Sequence, residues 1–221
     1  MGIISLEKSN HLYWLGRYSE RAFTTIKTFM DAYDRMLDAD ENAYQHVCAK
    51  LSIPDIYGSK EKFVINYLFD ENDIHSVYSN LKCACDNAMV LRDMISSESL
   101  SYIQLALDIM VEAKNKDFCL LDLQGVIDYL YAFWGSIDDY IESSKCRNIL
   151  KFGRYVERVD LYVRLDYSQD AVSKAYDHMK YRLGRADLEY NELNFNIFSG
   201  TLLKGEDLNK ALHYLNNIYK D

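Results

Sequence analysis

The chain has 221 residues, 49% of them hydrophobic, with a formal charge of −9 and a pI near 5.1. That length and apolar content fill one large core or two small ones, so the chain is expected to fold unaided. Its acidic field excludes broad binding to nucleic acid or to an anionic membrane, because both surfaces would repel it.

The opening segment from Met1 to Lys8 has no basic stretch followed by an apolar run, and nowhere do roughly 18 apolar residues follow one another. A cytoplasmic protein with no membrane partner is expected. The Met1-Gly2 start matches a myristoylation signal only weakly and has no polybasic partner to make it a stable anchor. From Leu6 to about Leu37, Leu12, Leu15, Ala22, Ile26 and Phe29 recur at three- and four-residue spacing and predict one long amphipathic helix. After a polar break over 38–41, a helix near Asn42–Ser52 is stopped by Pro54, and 53–59 reads as a loop. Further helices are predicted at Ser59–Phe69, Asp73–Ile95, Ser97–Lys114, Asp117–Glu142, Lys145–Asp166, Ala171–Leu183 and Glu206–Tyr219. Over 184–205 a short helix and an ordered loop both fit.

One proline, nine glycines and no sustained strand-like alternation make the expected fold all-α. No linker divides the chain, so a single domain over 1–221 is expected, with sequential helices packed antiparallel. Cys48, Cys83, Cys85, Cys119 and Cys146 are odd in number, lack paired C-x-x-C spacing and read as reduced core thiols.

The most informative feature is a Gly-Arg-Tyr-x-Glu-Arg motif written twice, at 16–21 and 153–158. The runs 12–22 and 149–159 align at a constant offset of 137 residues and agree at five of eleven positions. The bundle is therefore expected to contain an internal pair of pseudo-equivalent motif helices, from duplication or from helices that meet across a pseudo-symmetric interface. On a helix, Arg17, Glu20 and Arg21 share one face, with Tyr13 one turn before. Glycine inside a helix costs about 1 kcal/mol relative to alanine, so its presence in both copies points to a backbone or ligand that approaches closely.

Leu150, Leu161 and Leu165 surround Arg154 in the second copy, and an arginine so embedded needs a partner, which Glu157 can supply. If the helices face each other, Arg17, Arg21, Arg154 and Arg158 meet Glu20 and Glu157, leaving about two positive charges for a phosphate or carboxylate. Two other readings stand beside this one. The charges can be salt bridges that set bundle register, the first copy's face even being solvated; or Glu20 or Glu157 can act as a general acid or base, although neighbouring guanidinium groups weaken a carboxylate in that role. The chain carries no metal-binding, nucleotide-binding or nucleophile-elbow motif, so no cofactor and no metal is expected. His11, His46, His75, His178 and His213 stand apart from one another, and His11 draws interest by directly preceding the first motif.

The run Asn10–Ala22 resembles the opening signature of the bacterial alpha-E domain family. Phe152–Val159 corresponds to that family's later Gly-Arg-x-x-Glu-Arg-Ala helix, and Asp86–Arg92 to its middle Glu-Asn-Ala-Arg-x-x-Arg segment. The resemblance adds Asn87 and Arg92 to the candidate anion-binding residues. Met89 stands where the middle segment usually has arginine, Val159 replaces the usual alanine, and Arg147 occupies a common tryptophan position. Alignment fades beyond Asp166, so a shortened C-terminal part after 167 is expected. The resemblance implies a circularly permuted ATP-grasp protein as partner, with transglutaminase-like or Ntn-hydrolase-like proteins in the same setting. It thus implies an accessory or substrate-binding subunit of a system that forms peptide or amide bonds; an enzyme and a purely structural helical scaffold are the alternatives.

Overall fold

The computed structural model describes residues 4–116, 119–205 and 208–219, the side chains of 208 and 209 excepted. Among them are ten helices and one isolated antiparallel bridge, Tyr190 to Tyr219. The molecule is all-α, as the periodicity predicts. No helix among the described residues is long and apolar enough to cross a membrane. The Met1-Gly2 start, the first residues of the helix expected from Asp117 and those of the helix expected from Glu206 lie outside the described residues.

Helix α1 (Leu6–Asp38) begins where Ser5 accepts the Lys8 N–H through its hydroxyl at 3.2 Å, satisfying one of the free donors of the first turn. Its stripe of Leu12, Leu15, Ala22, Ile26, Phe29 and Ala32 is fully buried. Helix α2 (Ala43–Leu51) stops at Ser52 in the left-handed region, two residues before Pro54. Helix α3 (Lys60–Phe69) carries Phe63 and Tyr67, which stack at 4.9 Å and join Phe29, Tyr44 and Tyr57 in one aromatic cluster.

The helix expected from Asp73 starts later, as α4 (Val77–Val90). Asp70 and Asp73 instead accept the N–H groups of Asn72 and His75 at 2.9 and 2.8 Å, which holds the preceding segment in turns, and Ser76 then caps the helix. A turn at Leu91 separates α4 from α5 (Arg92–Lys114), so the predicted helix through Ile95 is broken there. α5 kinks at Ser96, at the expected boundary between Ile95 and Ser97. Ser96 has φ 71° and ψ 156°, and its hydroxyl accepts the Ser99 N–H as a cap.

Next come α6 (Leu120–Tyr140), α7 (Ser144–Arg164), α8 (Gln169–Ala186), α9 (Glu192–Lys204) and α10 (Leu208–Leu215). The ambiguous 184–205 stretch thus holds a helix, which Asn191 caps by accepting the Asn194 N–H at 3.1 Å. α10 ends four residues before the predicted Tyr219, because the chain turns out of the helix over 216–218 to form the isolated bridge from Tyr219 to Tyr190, with the Asn191 N–H donating to Ile218 O at 2.7 Å. α1 lies at the centre, packed along α7 on one side and α4 on another, and α8 covers α7. Five thiols are free, but Cys119 is exposed and Cys83 half-buried, correcting their assignment to the core; the Cys119 sulfur donates to Asp122 at the start of α6.

Candidate functional site: a crossed arginine and glutamate clasp

The two motif helices face each other. A Cβ built on Gly16 would lie 2.1 Å from Leu150 O, and one built on Gly153 would lie 2.1 Å from Tyr13 O. Leu150 is the counterpart of Tyr13 under the 137-residue offset, so each glycine receives the other copy's equivalent carbonyl. Real Cβ atoms do not approach oxygen so closely; the missing side chain is what lets the backbones touch. From Gly16 to Glu20 the neighbours advance from Leu150 to Arg158, so the two helices run in the same direction at this contact.

Backbone contact sets the charged side chains across from one another, and they cross over. Arg17 donates to Glu157 at 2.6 Å and Arg21 donates to the second Glu157 oxygen. Reciprocally, Arg154 donates to Glu20 at 3.0 Å, and Arg158 grips both Glu20 oxygens at 2.6 and 2.8 Å. Glu157 therefore pairs with the arginines of the first copy, not with Arg154 of its own helix as the spacing alone suggests. Facing helices bring the carboxylate of one within reach of two guanidinium groups of the other, an arrangement that i, i+3 neighbours on one helix do not match. The solvated reading of the first copy fails too, since both glutamates are fully buried and the Arg17 side chain is only 5% exposed.

The surroundings complete the desolvation. Arg154 lies 3.5 Å over the Trp134 ring, and the Trp134 indole donates to Ser19. Arg17 also donates to Asn216 Oδ1 at 2.8 Å, and Asn216 Nδ2 donates to Asp160 at 2.8 Å, so the residue that follows α10 links α1 to α7. Tyr13 is buried, stacked on Tyr219 at 4.2 Å. Asn87 Oδ1, on α4, accepts a 2.8 Å hydrogen bond from His11 Nδ1 nearer the start of α1, beyond the clasp. Arg92 is not part of the assembly: it starts α5 with its side chain 71% exposed beside Asp93. Of the candidates, then, Arg17, Glu20, Arg21, Arg154, Glu157 and Arg158 are brought together, Tyr13 supports them, and Asn87 and Arg92 lie apart. Asp160, Asn216 and Trp134 were not anticipated; Asp160 follows the second motif by two residues, and its apolar counterpart Phe23 gives no hint of a charge there.

Burial is the largest influence on Arg17 and works against its charge, but Glu157, Tyr13 and Asp160 together outweigh it and hold the guanidinium above its ordinary range. Arg158 is raised in the same manner by Glu20, whereas burial prevails at Arg154 and lowers it. For Glu157, burial pushes the carboxyl up while Arg17 and Arg21 pull it further down, leaving it below the usual carboxylate range. A carboxyl lowered in the folded state contributes stability that is fully present above its unfolded value of about 4.3 and is lost as pH falls through the folded value. Urea midpoints are accordingly expected to hold between pH 7 and 5 and to fall below about pH 4. In Glu157→Gln the midpoint starts lower and the acid-side fall is shallower; an unchanged acid limb would show that Glu157 is not the group responsible.

An all-helical bundle whose first and seventh helices are clasped by a doubled Glu-Arg motif is the class of protein that fold and site define. The chain belongs to the Alpha-E family, described as a predicted alpha-helical domain with a conserved ER motif, whose model matches residues 8–184. The match continues 18 residues past Asp166, beyond the last of the resembling motifs. Neither a curated protein nor a solved structure matches the chain.

Proposed function

We propose that this Alpha-E chain is an accessory, substrate-binding helical subunit of an ATP-grasp-linked system that forms peptide or amide bonds, and that the arginine excess of its clasp receives an anionic group. The charge count supports the anion: four guanidinium groups face two carboxylates. Arg21, with its side chain 34% exposed, is the most open of the four. The enzyme alternative is disfavoured by the same geometry. A general base must reach the proton it abstracts, and both carboxylates are sealed from solvent with each oxygen already accepting from an arginine.

The partner side of the proposal rests on the resemblance: a circularly permuted ATP-grasp protein, with transglutaminase-like or Ntn-hydrolase-like proteins in the same setting. Co-purification with the ATP-grasp protein of the same organism, followed by ligation assays with and without this chain, tests it. Association and an altered product distribution are expected; neither one appearing would end the proposal. The scaffold alternative draws on the reciprocal glycine contacts, which hold α1 to α7 whatever else binds. Arg21→Lys separates the two, because it keeps a cation beside Glu157 but loses the planar fork that grips an oxyanion. The subunit reading predicts a cooperative fold with altered ligation products lost; a scaffold keeps both.

A further inference from the structure

Beside the clasp, a cleft of about 360 Å³ opens between α1, the segment after α2, the loop before α4, and the C-terminal half of α7. Arg21 forms one wall and Arg164 another. We infer that this cleft binds a carboxylate, of the kind carried by a peptide C-terminus or an N-acylated amino acid, between the guanidinium groups of Arg21 and Arg164. The inference rests on the reading of the clasp as an anion site, narrows it to one edge, and needs no partner protein.

The donors have capacity to spare. Among the described residues, Arg21 donates only through Nε, toward Glu157. Arg164 uses Nε on Asp160 at 2.7 Å and Nη1 on Ser52 at 2.9 Å, which leaves Nη2. The His75 ring lines the same cleft, and no hydrogen bond engages it among the described residues. Both arginines are also pre-positioned: Glu157 is fully buried, Asp160 is nearly so, and each holds its guanidinium from behind, so little rotamer freedom remains to be lost on binding.

Charge decides the ligand class. Around the cleft, Arg17, Arg21 and Arg164 face Glu157 and Asp160, so one positive charge is left over. One carboxylate balances it. A phosphate monoester carries about −1.5 to −2 at pH 7 and would over-neutralise the site while lying against Asp160. Leu161 and Ile53 add apolar wall for a side chain, without which a bare oxyanion would suffice.

The test titrates the full chain by calorimetry with N-acetyl-leucine, with N-acetyl-leucinamide, and with inorganic phosphate. Saturable binding of N-acetyl-leucine is expected, with the amide at least about tenfold weaker because it cannot accept charge-assisted hydrogen bonds from both arginines. Arg164→Gln should weaken the acid by at least about tenfold while unfolding remains cooperative. Arg35→Gln, on the far end of α1, should change nothing. Equal binding of acid and amide, tighter binding of phosphate, unaltered binding by Arg164→Gln, or no saturation at all would each overturn the inference. The acid-against-amide comparison uses the unmodified chain, so it holds even if the variant folds poorly. Absence of an ATP-grasp complex would leave this titration untouched, and a failed titration beside an intact complex would fault the site alone.

Discussion

Gly16→Ala and Gly153→Ala are each expected to destabilise the fold by about 4 kcal/mol or more, at the extreme of what single substitutions do. A methyl group at either position would sit 2.1 Å from a carbonyl oxygen of the facing helix, and the obstacle is backbone, which cannot rotate away as a side chain could. Relief requires α1 and α7 to separate, and separation lengthens the buried ion pairs on both sides of the contact at once. Alanine is the better helix former by about 1 kcal/mol, so intrinsic propensity predicts the opposite sign. Gly135→Ala is the control: it sits in α6 with nothing within 4 Å of the added atom and should stabilise by about 0.5–1 kcal/mol. Urea denaturation of the three variants reads the difference directly. Comparable small effects at all three positions would show that the close approach carries no energetic weight.

The second large effect is expected at Glu157→Gln, a loss of about 3–5 kcal/mol. Glutamine keeps the shape but removes the charge that compensates Arg17, whose side chain is 5% exposed and, among the described residues, has only Asn216 as a second acceptor. An uncompensated guanidinium at that depth is the costly outcome, more than the lost hydrogen bond. Glu20→Gln should cost less. Neither of its arginines is as deeply buried as Arg17, at 15% and 18% against 5%, and Arg154 keeps the face of Trp134 beneath it. Chemical denaturation at pH 7 ranks the pair, and a larger loss at Glu20 would contradict this account of burial.

Helix positions followed from apolar spacing wherever one face is buried, as in α1, and from breakers where a break is chemically forced, as at Pro54. The break at Ser96 was visible as a boundary between two periodic stretches. The turns before α4 were missed because Asp70 and Asp73 take backbone N–H groups by local side-chain bonding, which composition does not reveal. α9 was ambiguous because only Phe198 and Leu202 of its residues are buried, too few to set a period. At the site, the spacing of arginine and glutamate is the same for pairing within a helix and between helices, so the crossed partners required the facing glycines to be resolved. Asn216 could not be found from sequence at all: it lies in a polar stretch 199 residues from the arginine it contacts.

The central claim is that the doubled motif is one clasp whose carboxylates serve the opposite helix. Double-mutant cycles measure this most directly, with Glu157→Gln combined in turn with Arg17→Met and with Arg154→Met, and stabilities taken from denaturant unfolding. The crossed geometry predicts a coupling of about 1.5–3 kcal/mol for Glu157 with Arg17 and a value near zero for Glu157 with Arg154. A larger coupling within the second helix than between the two helices would contradict it.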